Sequence, residues 1–374
     1  MDIRDFLSPS CDLLALGEPT HLEPAFPLIR NDLLVRLVDL GFRSVALETD
    51  RVAALAVDDY VRGGGGTLDG VMREGFSPGF GELDGNRRLV AWLREHNEHL
   101  PPADRVAFHG FDAPIEMMSA PSPLRHLDHV RAYLGLDVDL AALAGDDERW
   151  SRTEAIMDPN ESVGATPEAD RLRVIADDLL VTLHARAPEL IAATSRAAWT
   201  RAEVHLTAGL GLLRYHRQSA EHVERATRVS RQLGVRDALM ARNLLDIRAA
   251  ETGRGPTLVF AQNLHLQRNP SRWHLGGMDL CWSSAGSIVG ALVGERYAFV
   301  AGSLGRSAAL GLGEPDPDTY EGALQHAVTG WGLVRAHDVA PARTRTDTTP
   351  AQGYFPLDRP TLDGADAVLH VTGR

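Results

Sequence analysis

The sequence predicts an α/β fold, in which a largely parallel central sheet is flanked by helices and carries an inserted helical bundle. Short apolar runs alternate with amphipathic stretches in the first third of the chain, and apolar runs resume near its end. Between them lies a long part with helical periodicity and few strand signals. We therefore expect an α/β core formed by residues 1–120 and 251–374, and an inserted helical region at 121–250, because 374 residues exceed one small core.

The individual elements follow from the spacing of apolar residues. Strands are predicted over residues 12–17, 43–47, 105–108, 257–260 and 297–301, with an edge strand over 367–371. Helices are predicted over residues 26–40, 51–61, 86–97, 125–134, 168–186, 187–214, 221–250 and 287–292. A strand, a helix and another strand in this rhythm require crossover connections, which join parallel strands.

The basic residues exclude several classes of enzyme. All 38 of them are arginine, and the chain contains no lysine. Schiff-base enzymes, pyridoxal-phosphate enzymes, P-loop NTPases and protein kinases each need a lysine amine at a fixed place, which a guanidinium cannot replace. The chemistry of any site must therefore rest on histidines, carboxylates and permanently charged arginines.

Charge and cysteine content restrict the partners and the compartment. The net charge of -13 disfavours nucleic acid and anionic membranes as partners, and no apolar run reaches the roughly 18 residues of a membrane span. The two cysteines, Cys11 and Cys281, form no disulfide framework, and the acidic first residues do not resemble a signal peptide. We expect a cytoplasmic protein that acts on a small molecule.

Ionisable and amide side chains follow four of the predicted strands. The strands lead into Glu18 and His21, into Glu48, into His109 and Asp112, and into Gln262, Asn263 and His265. In a parallel sheet the carboxyl ends of the strands share one edge, where ligands bind. A single glutamate or histidine is more often a helix cap or a solvated residue, but their convergence favours one catalytic cavity. His21 is the natural general base, with a carboxylate to orient its ring.

Other motifs give no support to a different chemistry. The chain has no G-x-S-x-G nucleophile elbow. His96 with His99, and His126 with His129, have the spacing of helical neighbours but no further ligand pattern. We expect neither a metal ion nor a cofactor.

At these residues the chain resembles the erythromycin esterase family. The matching motifs are Gly17-Glu18-Pro19-Thr20-His21, Arg30, Ala46-Leu47-Glu48, Trp92-Leu93-Arg94 with Asn97, Gly110-Phe111-Asp112, and Arg236-Asp237 leading to Asn243. The resemblance implies an α/β core with inserted helices, a deep cleft and metal-independent activation of water by His21. It also implies that Glu18, Arg30, Glu48 and His265 occupy active-site positions.

Three positions depart from the family pattern. Gln262 stands where the family has the first histidine of His-Asn-x-His, so one titratable group is replaced by an amide. Leu22 and Ala25 replace a small residue and an acid after the first histidine. These changes predict a smaller or drier cleft.

Two enzymatic hypotheses and one binding hypothesis remain open. In the first, His21 activates water to hydrolyse an ester or lactone of a secondary metabolite, and Arg30 stabilises the oxyanion. In the second, the same base drives closure of a small ring such as an aziridine, with loss of a sulfate or phosphate that Arg30 and Arg236 hold. Such an enzyme would belong to a biosynthetic pathway, in which a carrier or another enzyme could be its partner. In the third, the cleft binds a ligand without turnover. Substrate-binding roles are predicted for Gln262, Asn263, Arg236, Asp112 and His109.

Overall fold

A seven-stranded sheet forms the centre of the molecule in the computed structural model, which describes residues 1–373. Residues 1–373 contain nine strands: β1 (Leu13–Glu18), β2 (Ser44–Asp50), β3 (Ala107–Asp112), β4 (Thr257–Gln262), β5 (Ser271–Leu275), β6 (Met278–Trp282), β7 (Tyr297–Leu304), β8 (Trp331–Arg335) and β9 (Ala367–Val371). The order across the large sheet is β3-β2-β4-β1-β7-β9-β8, and every pair is parallel except β8 with β9. This confirms the predicted, largely parallel α/β architecture.

Helices connect the strands and build the middle of the chain. They are α1 (Ala25–Asp39), α2 (Ala54–Val61), α3 (Leu68–Glu74), α4 (Asp84–Asn97), α5 (Leu124–Leu134), α6 (Ala141–Ala144), α7 (Glu148–Ser151), α8 (Thr153–Met157), α9 (Pro167–Ala185), α10 (Ala187–Ala193), α11 (Arg196–Ser219), α12 (Arg225–Ala250), α13 (Asn263–Leu266), α14 (Ala285–Val293), α15 (Tyr320–Ala327) and α16 (Arg359–Asp363). None of the helices in the described residues is both long and apolar enough to cross a bilayer.

Apolar side chains cover both faces of the sheet. Alternate residues of β1 point to opposite faces: Leu14 and Leu16 belong to one core with α1, α2 and α4, whereas Leu13 and Ala15 belong to a second core with α12 and α14. Helices α5, α9 and α11 share a third core of their own. Most of the sheet is therefore buried on both sides, as its parallel strands require.

Two local predictions were wrong. Strand β9 does not lie at the edge, because β8 pairs with it in the antiparallel direction and takes the edge position. The helix predicted over 187–214 is broken into α10 and α11, because the Ser195 side chain accepts a hydrogen bond from the Ala198 N–H and begins a new helix.

Candidate active site

Four adjacent strands place polar side chains at one edge of the sheet. Asp112, Gln262 and Glu18 are the last residues of β3, β4 and β1, and Glu48 lies near the end of β2 between them. The parallel pairing of these strands brings their carboxyl ends together. Three of the four side chains are carboxylates that are at least nine-tenths buried, so each needs a partner.

His21 is held between two of these carboxylates. Its Nδ1 lies 2.7 Å from Glu18 Oε1, and its Nε2 lies 3.6 Å from Glu48 Oε1. The first distance is a short hydrogen bond, whereas the second is too long for one. Glu18 is buried behind the ring, and the His21 side chain is 30% exposed. The imidazole therefore has one nitrogen fixed by a hydrogen bond and one nitrogen that forms none within residues 1–373.

A second imidazole mirrors this arrangement on the other side of Glu48. His265 Nε2 lies 3.4 Å from Glu48 Oε1, and His265 Nδ1 lies 3.0 Å from Asp237 Oδ1. The Asp237 carboxylate is completely buried and also accepts hydrogen bonds from the Trp282 indole N–H at 2.8 Å and the Ala285 backbone N–H at 2.7 Å. The side chains thus form a continuous row of alternating carboxylates and imidazoles.

Arg236 completes the charged cluster. Its Nε donates to Asp112 Oδ1 at 3.1 Å, and its Nη2 lies 3.7 Å from Glu48 Oε1. Glu48 Oε2 accepts the backbone N–H of Gln262 at 2.9 Å, which leaves Glu48 Oε1 facing His21, His265 and Arg236. One oxygen atom is therefore the common neighbour of three cationic or ionisable groups.

The charges set the protonation of the cluster. Burial alone would raise the pKa of Glu48, but the nearby His265 and His21 outweigh it and hold that pKa far below its usual value. Burial alone would lower the pKa of each imidazole, yet Glu48 and Glu18 raise the pKa of His21, and Asp237 and Glu48 raise that of His265. Glu48 thus stays ionised while both histidines retain a proton to higher pH than a free imidazole.

A cavity of about 590 Å³ opens above this cluster. The groups described above that line it are His21, Glu48, Asp112, Arg236, Gln262 and His265. Its other walls are mostly apolar and come from distant parts of the chain: Leu22, Ile115, Met117, Met118, Met157, Tyr215, Trp273, Met278, Trp282 and Phe355. Four of the seven methionines in the chain line this cavity, which gives it an adaptable surface.

Three residues predicted for the site lie elsewhere. The Arg30 guanidinium is buried beneath the site, where it donates to Asn31, Asn86 and the Gly85 carbonyl and lies over the Phe260 ring. It does not line the cavity, so its predicted contact with the oxyanion is absent from this geometry. His109 points away from the site: its Nε2 lies 2.8 Å from Glu251 Oε1, and it lines a separate cavity.

Asn263 clamps two strands instead of facing the cavity. Its Nδ2 donates to the Gly302 carbonyl at 2.8 Å, and its Oδ1 accepts the Gly302 N–H at 2.9 Å, which ties the end of β4 to β7. Residue 17 must be glycine here, because a Cβ at that position would clash with Asn263 Oδ1. The amide therefore fixes the turn that begins α13 and presents His265.

We expect Asn263→Ala to lower the free energy of unfolding by about 2 kcal/mol, because two buried backbone groups lose their partners. Urea denaturation measures this change. Asn160→Ala is the matched control, since Asn160 is exposed and bonded only to Asp158. Equal midpoints for the two variants would contradict a clamp at Asn263.

Sequence reasoning did not nominate Asp237 or Trp282 as site residues. Asp237 is the neighbour of Arg236 within the motif that supported the family resemblance, and that position was the available signal. Trp282 ends a hairpin whose place over the site no local pattern reveals. Among the described residues, no group of three or more histidines, cysteines or carboxylates is arranged to hold a metal ion.

The fold and this site together define an α/β protein with a row of carboxylates and imidazoles at the carboxyl ends of a parallel sheet. The family model described as Erythromycin esterase matches residues 38–369. The chain belongs to the erythromycin esterase family, a family of esterase-type hydrolases.

Individual relatives agree with this assignment. The chain is 24% identical over 349 residues to erythromycin esterase type II of Escherichia coli, covering 87% of this chain and 79% of that protein. Among solved structures, a variant of the erythromycin esterase EreC in its open conformation has a TM-score of 0.68 at 18% identity, covering 98% and 91% of the two chains. A Bacillus cereus protein has a TM-score of 0.67 at 17% identity, covering 97% and 89%. At these identities the structural likeness shows the fold.

Proposed function

We propose that this protein hydrolyses an ester or lactone of a secondary metabolite, with His21 as the general base. The orientation of the His21 ring carries the proposal. Its Nδ1 is bound by Glu18, its Nε2 has no hydrogen bond in the described residues, and the residue lines the cavity. A carboxylate that binds the Nδ1–H of a neutral imidazole leaves the Nε2 lone pair free to accept a proton.

In the hydrolytic step, His21 transfers the proton, and the carboxylates of Glu18 and Glu48 support it. His21 Nε2 takes a proton from a water molecule, and the water oxygen forms a bond to the carbonyl carbon. Glu18 and Glu48 stabilise the imidazolium that results. Collapse of the tetrahedral intermediate breaks the bond to the leaving alkoxide, which receives the proton from His21. Ester and water thereby give a carboxylic acid and an alcohol.

Arg236 is the best-placed group to stabilise the oxyanion. It lines the cavity, whereas Arg30 does not. Burial alone would lower the pKa of Arg236, but Asp112 and Glu48 outweigh it and raise that pKa, so the guanidinium remains charged. A fixed cation at the developing negative charge lowers the barrier of acyl transfer. In this proposal Arg30 acts from beneath the site as a counter-charge to Glu18.

The decisive experiment follows oxygen from water into the product. We would incubate the purified protein with erythromycin, simple lactones and aryl esters in oxygen-18 water and analyse the products by mass spectrometry. One labelled oxygen in the acid product supports hydrolysis. Loss of a sulfate or phosphate leaving group without label in the organic product would instead support ring closure. Binding without any product, unchanged in His21→Ala, would favour a non-catalytic protein.

The activity should rise with pH through a midpoint above 6.5, the ordinary value for a histidine. The reason is that His21 must be neutral to act as a base, and its raised pKa keeps it protonated until higher pH. The measurement is kcat/KM as a function of pH. Because His21, Glu48 and His265 are coupled, the midpoint belongs to the group of residues.

Glu48→Gln provides the matched comparison for this pH dependence. It removes one of the two carboxylates that raise the pKa of His21, so the midpoint should move to lower pH. A midpoint at or below 6.5 in the unaltered protein, or one that does not move in the variant, contradicts His21 as the base.

A further inference from the structure

The aromatic ring of Phe80 packs against the imidazole of His21. The two ring centroids are 5.1 Å apart and the ring planes meet at 68°, which is the edge-to-face arrangement that aromatic pairs favour. Both residues line the cavity. Phe80 is the first residue of a short 3₁₀ turn, Phe80–Glu82, in the loop between α3 and α4. The contact therefore joins His21 to a loop that is distant in the sequence.

This contact supplies what the hydrogen bonding of His21 leaves undetermined. Within residues 1–373 the imidazole forms one hydrogen bond, between Nδ1 and Glu18 Oε1, and Glu48 Oε1 is 3.6 Å from Nε2. A ring held by one hydrogen bond can still tilt about that bond, so Glu18 alone does not fix the direction of the Nε2 lone pair. A second ring packed beside the imidazole limits that tilt.

Buried polar groups hold the backbone of Phe80 in place. Asn86, which is 2% exposed, donates from Nδ2 to the Phe80 carbonyl at 2.9 Å and accepts from Arg30 Nη1 at 2.9 Å. Arg30 is 1% exposed and donates further to Asn31 and to the Gly85 carbonyl. Buried networks in which each member has partners are rigid. Arg30, Asn86 and Phe80 therefore form a connected series of contacts.

The same loop is tied to the strand that carries Glu48. The Ser77 N–H donates to Thr49 Oγ1 at 2.7 Å, and Ser77 Oγ accepts the Asp50 N–H at 2.9 Å. Since Thr49 and Asp50 directly follow Glu48 in β2, the loop and the carboxylate are fixed to the same strand.

We propose that Phe80 is a positioning residue that fixes the orientation of the His21 ring, and that Arg30 acts on this ring through Asn86 and Phe80. The catalytic consequence rests on the proposed function, in which His21 is the base; the positioning itself rests on the ring contact. A base must keep its lone pair aimed at the proton it removes, so a ring that tilts lowers the rate without weakening substrate binding. This role of Arg30 needs no contact with the substrate, which agrees with its absence from the cavity wall.

NMR spectroscopy tests the contact without any substrate. In the unaltered protein with labelled histidine and phenylalanine, we expect a nuclear Overhauser effect between the ring protons of His21 and Phe80, with His21→Ala to assign the resonance. Phe80→Leu removes the aromatic ring, so the His21 resonance should shift because the ring current is lost. Phe6→Leu is the matched control and should leave that resonance in place, since Phe6 is also half-buried, packs on Arg335 and does not line the cavity.

Steady-state kinetics tests the consequence for catalysis. Phe80→Leu should lower kcat for ester hydrolysis by about tenfold, the upper end of what the loss of one aromatic pair allows, and change KM by less than about twofold. Phe6→Leu should keep both values. A raised KM with an unchanged kcat would assign Phe80 to substrate binding and overturn the proposal. The absence of the Overhauser effect, or an unshifted His21 resonance in Phe80→Leu, would also overturn it.

The two readouts keep this proposal separate from the hydrolytic function. Hydrolysis that requires His21 but is unaffected by Phe80→Leu removes the positioning role and leaves the function. A shifted His21 resonance in Phe80→Leu, together with a failure to hydrolyse any ester in oxygen-18 water, leaves the positioning of the ring intact and removes the function.

Discussion

Replacing His21 with alanine should lower kcat/KM for ester hydrolysis by about 10²- to 10⁴-fold, the range that general-base catalysis contributes. No second imidazole takes this position, because the ionisable groups beside the His21 ring are the carboxylates of Glu18 and Glu48, and His265 lies on the far side of Glu48. Steady-state kinetics on the best ester from the oxygen-18 experiment measures the loss, which should appear in kcat more than in KM.

The control for His21→Ala is the removal of a different imidazole outside the site. His337→Ala removes a side chain that is 73% exposed and does not line the cavity, so its activity should equal that of the unaltered protein. Added imidazole should restore part of the activity of His21→Ala by filling the space left by the ring. Retention of most of the activity by His21→Ala would falsify the proposed mechanism.

Asp237→Asn should lower the free energy of unfolding by about 3 kcal/mol, because a completely buried charge pair is broken. The two carboxylate oxygens accept from His265, from Trp282 and from the Ala285 N–H. An amide must turn its NH₂ group toward one of these donors. The variant should also lose activity, since His265 is no longer held and its pKa falls without the carboxylate.

Urea denaturation and the NMR titration of His265 measure these two effects. Asp177→Asn is the matched control, because Asp177 lies on the exposed face of α9 and should tolerate the change. If both variants unfold at the same urea concentration, or if the His265 titration is unchanged in Asp237→Asn, the carboxylate does not hold the imidazole.

The parallel sheet was predictable because its strands are continuous apolar runs separated by helical periodicity, and a crossover connection permits one pairing direction. Strand β8 is short, contains Gly332 and buries only Leu333 of its five residues, so its pattern does not stand out from a loop. The hairpin of β5 and β6 left a usable signal, since Gly276 and Gly277, both with positive φ, separate two short segments in which more buried and exposed residues alternate.

The polar residues at the strand ends were predictable for the same topological reason. His21, Glu48 and His265 follow apolar strands, and the geometry of parallel pairing brings them together. The local sequence pattern could not predict which residues of other elements contact these side chains. Asp237 lies on α12 and meets His265 through tertiary packing, and Arg30, on α1, turned inward to bind Asn86. Residues on helices change direction every 100°, so spacing alone does not tell which of them reach a site.

Helix α12 places opposite charges side by side. Arg236 and Asp237 are consecutive, so their side chains leave the axis about 100° apart, one toward Asp112 and the other toward His265. A shift of the helix by a single residue places either Asp237 opposite Asp112 with Ala238 opposite His265, or Val235 opposite Asp112 with Arg236 opposite His265. Each shift presents a charge of the wrong sign to one partner and an apolar side chain to the other. The rotational register of α12 therefore fixes both the contact of Arg236 with Asp112 and the contact of Asp237 with His265. A different helical region grafted onto this sheet will support the cluster only where it preserves the rotational register of α12.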